Sequence, residues 1–251
     1  MNDQPRGEVT MDAQLHELVT NAGDDETTRS GHPAPREALD REEQLIRDAV
    51  LRMGALVEAA IRQASRALTT HDTALALDVI NGDAIINEAQ RGVSRLIAVT
   101  IATQQPVARD LRYLLTLDHV TYELERIGDH ASSLAKQALK LAPEPPLVGY
   151  VHLPEMAERG ALLVHGVLRA LVDADAVQAR QIAVDDDEID RLYHATFDQV
   201  LDLMRRDPAN VERGARIIIA SHYLERIGDR ATNVAEDVVY LVTGDVEDLN
   251  P

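Results

Sequence analysis

Leu124-Glu125-Arg126-Ile127-Gly128-Asp129 returns unchanged, 100 positions later, as Leu224-Glu225-Arg226-Ile227-Gly228-Asp229. Other pieces repeat upstream of each copy. Arg66-Ala67-Leu68 matches Arg169-Ala170-Leu171 at an offset of 103, and Asp83-x-x-Ile86-Asn87 matches Asp186-x-x-Ile189-Asp190 at the same offset. Repetition at one long period marks a duplicated structural unit. The small change of offset is absorbed near the turn before the motif-bearing segment of each copy.

Working outward from the motif, each unit reads as three helices. From Glu37 the apolar residues Leu45, Ala49, Met53, Leu56, Ala60 and Ala64 recur at three- and four-residue steps, which puts them on one helical stripe. That helix is expected to end near Leu68, and Thr69 to Asp72 to form a turn in which Asp72 caps the second helix. The second helix should reach about Thr103, with Asn81-Gly82 as a candidate kink. Pro106 is placed in the first turn of a third helix that ends near Leu141.

Pro143, Pro145 and Pro146 cannot continue a helix, so they separate the units. The second unit repeats the order: a helix over about 154–171, a turn at Asp173-Ala174-Asp175, a helix to Arg206, an Asp207-Pro208 start signal and a last helix stopped at Gly244. The predicted fold class is all-α, two tandem three-helix bundles. Its segments are an acidic disordered arm (1–36), a first bundle (37–142), a proline-rich linker (143–153), a second bundle (154–244) and a tail (245–251).

The composition agrees. Hydrophobic residues make up 45% of the 251, nearly all aliphatic, with one Phe and no Trp. Ala- and Leu-rich cores suit close-packed helices. No window approaches the roughly 20 apolar residues of a membrane span, and the N-terminus lacks a secretory pattern, so a cytoplasmic protein is expected. With no Cys, disulfides and thiolate metal sites are excluded. A net charge of −18 argues against nucleic-acid binding, which neutralises phosphates with Lys and Arg.

Some of the carboxylates recur at fixed spacing. Glu125 and Asp129 are four apart, as are Glu225 and Asp229, so each pair shares a helix face. Counting outward from the turns near 105 and 207, roughly 33 Å along each helix at 1.5 Å per residue, places Asp83 and Asn87 level with the first pair. The same count places Asp186 and Asp190 level with the second. Oxygen-rich clusters suit hard or borderline cations such as Mg, Mn, Ca or Fe. The competing reading is a solvated, salt-bridged face, because Arg126 and Arg226 each sit three residues before an Asp. His222, three before Glu225, could join a site; its counterpart Tyr122 could not do so as readily. Gly128 and Gly228 read as points of close helix contact. No phosphate loop, nucleophile elbow or paired Glu-x-x-His motif is present, so the chain is expected not to be an enzyme.

The doubled Glu-Arg-Ile-Gly-Asp, together with Gln105-Pro106, Asp110-Leu111-Arg112 and the Asp-x-x-Ile-(Asn/Asp) elements, resembles the PhoU family over about residues 40–243. The resemblance implies a cytoplasmic, dimer-forming regulator of phosphate uptake and of the phosphate-starvation response. Such a protein contacts the phosphate transporter's ATPase subunit and a sensor histidine kinase, and reaches the membrane only through those partners. It further implies binding of metal ions (Fe, Zn, Mn or Mg) at Glu125, Asp129, Glu225 and Asp229, extending to Asp83, Asn87, Asp186 and Asp190. An alternative of another class is a metal-storing or metal-oxidising helical carboxylate protein.

Overall fold

A computed structural model describes residues 35–145 and 152–250. Residues 1–34 of the expected arm, 146–151 of the expected linker and Pro251 of the tail lie outside the described residues. Among the described residues six long helices make up the fold: α1 (Pro35–Thr70), α2 (Thr73–Gln104), α3 (Arg109–Leu141), α4 (Leu153–Asp173), α5 (Ala176–Arg206) and α6 (Val211–Thr243). A single 3-10 turn, Pro208–Asn210, precedes α6. Among the described residues there is no strand.

The turns follow from local chemistry. Asp72 accepts from the Leu75 amide at 2.9 Å, and Asp175 accepts from the Val177 and Gln178 amides, each at 2.9 Å. Both satisfy first-turn donors that have no partner within the helix. Gly244, at φ 84, closes α6 in the left-handed conformation that glycine adopts without strain. One expectation fails at Pro106. The left-handed cap falls on Gln105 (φ 48), which turns the chain there, so Pro106 is buried in the connection and α3 starts only at Arg109.

Helices α1–α3 pack as one group and α4–α6 as another, while α3 lies along α6 and α1 along α4. The apolar faces therefore merge into one core running through both groups. This arrangement corrects the expected stripe of α1 in part: Met53 and Ala64 are buried as expected, other members are not. Leu45 and Leu56 are 48% and 40% exposed, and the buried row is Ile46, Val50, Met53, Val57, Ile61 and Ala64. Two apolar rows lie side by side on this helix. Packing against α2, α3 and α4 selects the β-branched one, about 100° around the axis.

Helix α2 runs unbroken through the candidate kink at Asn81-Gly82. A Cβ on Gly82 would meet no heavy atom within 4 Å. Gly82→Ala should therefore gain about 0.8–1.0 kcal/mol of helix propensity. Thermal unfolding should show a rise of about 2–4 °C in Tm; a fall would mean that the glycine has a packing role.

Where α3 meets α6, the seam is polar at its centre. Glu123, 2% exposed, accepts from Arg230 Nη1 and from Asn233 Nδ2, both at 3.2 Å. One turn away, His119 Nδ1 lies 2.6 Å from Asp237 Oδ2. The bond to Asp237 holds the His119 imidazolium above its ordinary range against the cost of burial. Burial pushes the Asp237 carboxyl up, and His119 only partly reverses this.

Candidate functional site

Two acidic grooves occur, one between α2 and α3 and the other between α5 and α6. They are not equal. In the α5/α6 groove, carboxylate oxygens of Asp190, Glu225 and Asp229 all lie within 4.8 Å of one another. Ligands of one ion can be no farther apart than twice the metal–oxygen distance. Separations within 4.8 Å therefore leave room for one ion at about 2.4 Å or less from each oxygen, a spacing compatible with calcium and with smaller divalent ions. The three side chains are half-buried, and Glu225 Oε2 is itself closed off from solvent.

Electrostatics confirm the crowding. Burial, then repulsion from Asp229, raises the carboxyls of Asp190 and Glu225 above the usual range. His222 Nδ1 is 3.1 Å from Glu225 Oε2, and Arg226 Nη1 donates to Asp229 Oδ2 at 2.8 Å. Both readings of the sequence thus have a physical basis here: the helix cations do pair with the motif, and three carboxylates still converge.

Asp186 is not one of the converging three. It is 3% exposed, accepts from Thr232 Oγ1 at 3.2 Å through Oδ2, and has no hydrogen-bond partner on Oδ1. That oxygen occupies the space above Gly228, where an added Cβ would lie 2.0 Å from it. Burial first, then the charge of Asp190, pushes its carboxyl up to about 7.

A raised carboxyl binds its proton more tightly in the folded state than in the unfolded one. Its contribution is therefore complete below the ordinary value of 3.8 and is lost as pH rises through about 7. At 1.36 kcal/mol per unit this amounts to about 4 kcal/mol. In chelator, urea unfolding at pH 4.5 and pH 8 should show Asp186→Asn gaining on the wild type by a few kcal/mol at the higher pH. Parallel losses in both proteins would assign the pH dependence elsewhere.

In the α2/α3 groove the four expected residues also meet, with less convergence. Asn87 Nδ2 donates to Asp83 Oδ2 at 3.3 Å. Burial, then the Asp129 charge, raises both Asp83 and Glu125. Arg126 Nη1 donates to Asp129 Oδ2 at 3.3 Å. Among the described residues, no three carboxylates here come as close as the Asp190–Glu225–Asp229 set. The amide of Asn87, where the second groove has Asp190, removes one charge. Gly128 admits Ile86 rather than a carboxylate.

Two neighbours of the second groove were not legible in the sequence. His130 of α3 is held neutral, its imidazole lowered to about 4 by burial and by Arg226 and Arg230. The segment after α6 folds back: Glu247 pairs with Arg180 at 2.6 Å, the Leu249 amide donates to Glu236 at 2.8 Å, and Asn250 Nδ2 reaches Asp229 Oδ1 at 3.5 Å. At the equivalent place in the repeat His130 has Arg230, a different residue type, so the duplication did not flag it.

Comparison with known proteins agrees with this architecture. The family model described as PhoU domain matches twice, over residues 50–138 and 153–238. The phosphate-specific transport system accessory protein PhoU homolog of Clostridium acetobutylicum is 33% identical, over 86% of this chain and 99% of its own. Its counterpart from Pseudomonas aeruginosa is 36% identical, over 79% and 83%. The crystal structure of PhoU from Pseudomonas aeruginosa superposes with a TM-score of 0.79 at 36% identity, covering 82% of this chain and 99% of that one. The phosphate transport system regulatory protein PhoU of Streptococcus pneumoniae gives 0.77 at 29% identity, over 84% and 99%. A twofold match to one domain model, on two helical units that share the Leu-Glu-Arg-Ile-Gly-Asp motif, places this chain in the PhoU family.

Proposed function

We propose that the chain is an accessory protein of a phosphate-specific transport system, acting without catalysis as an adaptor between the transporter's ATPase subunit and a sensor histidine kinase. The observation that carries this reading is the near full-length likeness to relatives named as accessory proteins of that system. It belongs in the cytoplasm and works as a homodimer in this reading. No helix among the described residues is long and apolar enough to cross a membrane, so membrane contact would come through the partners. The duplicated bundle gives such an adaptor two comparable faces.

Asp190, Glu225 and Asp229 are the residues that would hold a metal ion, with His222 orienting Glu225 from its edge. Fe, Zn, Mn and Mg all accept oxygen donors, and an ion here would neutralise the repulsion that raises these carboxyls. The α2/α3 groove, with Asn87 in place of a fourth carboxylate, would bind more weakly.

Deleting the gene and assaying alkaline phosphatase in phosphate-rich medium tests the regulatory role. Constitutive activity is expected, and unchanged repression would remove the proposal. Elemental analysis of the wild type beside Glu225→Ala tests the metal. Loss of bound ion together with intact repression would confine the metal to structure, whereas iron turnover by the purified protein would favour a storage or oxidase role.

A further inference from the structure

A cleft of about 750 Å³ opens where the start of α1, the first turn of α3 and the C-terminal ends of α4 and α6 come together. Its walls carry four arginines, Arg36, Arg47, Arg109 and Arg112, against three carboxylates, Asp40, Glu43 and Asp110. In a chain of net charge −18 this is a local reversal of sign.

The charges are also unequally used. Arg36 consumes two of the carboxylates, bonding Asp110 at 2.5 Å and Asp40 at 2.8 Å. The third, Glu43, is raised by burial and by Asp110, and its Oε1 is buried without a hydrogen-bond partner. Arg47 donates to the neutral Gln44 and lies beside the Tyr113 hydroxyl. Arg112 is held over the Tyr240 ring at 5.7 Å. Arg109 is felt only electrostatically, by Glu43. None of these three arginines forms an ion pair among the described residues. Three guanidinium groups, two of them anchored by neutral aromatic neighbours, thus face one polar cavity of ligand-binding size.

Planar guanidinium forks match phosphoryl oxygens two at a time. We propose that this cleft between the two bundles binds a small phosphoryl anion, with Arg47, Arg109 and Arg112 as its ligands. Because the walls come from helices of both bundles, an occupant ties the two together. This inference does not depend on the metal or on the regulatory reading.

Calorimetric titration of the full chain in chelator, at constant ionic strength, tests it with inorganic phosphate, pyrophosphate and ATP as separate probes. Saturable binding of at least one probe is expected, with at least tenfold weakening in Arg109→Gln, which touches no folded-state partner. Arg66→Gln, an exposed change near the far end of α1, should leave binding as in the wild type. Tightest binding of inorganic phosphate would identify the free ion as the source, and tightest binding of ATP a nucleotide. The proposal is overturned if no probe saturates below about 10 mM, a free energy of about −2.7 kcal/mol, or if Arg66→Gln weakens binding as much as Arg109→Gln.

Discussion

Glu123→Ala should be among the most damaging single substitutions in this chain, lowering stability by about 3 kcal/mol. Removing one member of a buried ion pair costs about 3–5 kcal/mol because the other charge is left uncompensated. Arg230, at 24% exposure, can still recover some water, which puts the loss at the lower end. For a chain of this size the corresponding fall in Tm is about 6–12 °C. Asn233 also loses its acceptor. Glu123→Gln keeps the volume and one acceptor and should cost less. Replacing the pair together, as Glu123→Leu with Arg230→Met, should recover most of the loss, because desolvating both charges costs nearly what their attraction returns. A double variant as unstable as Glu123→Ala would show that shape, not charge, governs this seam between α3 and α6.

Gly228→Ala comes next, and it should differ sharply from Gly128→Ala at the equivalent position of the other unit. At Gly228 the new methyl would lie 2.0 Å from Asp186 Oδ1, so the buried carboxylate must move and give up its bond to Thr232. Overpacking of this kind costs about 1–3 kcal/mol, and the displaced charge puts Gly228→Ala at the top of that range. At Gly128 the nearest atoms are Ile86 Cδ1 and Cγ2, both at 3.1 Å. A shift of a few tenths of an ångström admits the methyl there, and the helix-propensity gain of about 1 kcal/mol leaves Gly128→Ala close to neutral. Paired urea titrations check the contrast; equal losses would mean that the two glycines serve the same contact.

The contrast shows what sequence can and cannot convey about this fold. Six helices, their turns and the duplication were legible because caps, prolines and the repeated hexapeptide are local signals. Asp72 and Gly244 each do what their residue type suggests, whereas Asp207 caps the 3-10 turn Pro208–Asn210 and α6 itself begins at Val211. Facing was harder. On α1 two apolar rows satisfy the same period, and only contact with α2, α3 and α4 makes Ile46 and Val50 buried and Leu45 exposed. Pro106 missed its expected place because a left-handed cap on Gln105 has no marker when the residue is not glycine.

Site residues were legible to the level of the groove. Counting along two antiparallel helices brought Asp190 beside Glu225 and Asp229, since rise per residue is nearly constant. The same count put Asp186 in the set, yet that side chain turns under Gly228. Rotamer and burial are decided by neighbours, which spacing does not specify. The arginine cleft was not legible for a related reason: its residues come from four separated stretches of chain.

The returning C-terminal segment bears on how the protein should be handled. Asn250 rests on Asp229, so the described chain ends at the rim of the three-carboxylate groove. A polyhistidine sequence fused there would bring imidazoles beside the three carboxylates and could create an ion site of its own. Titrations with divalent cations are best run on protein freed of such a fusion.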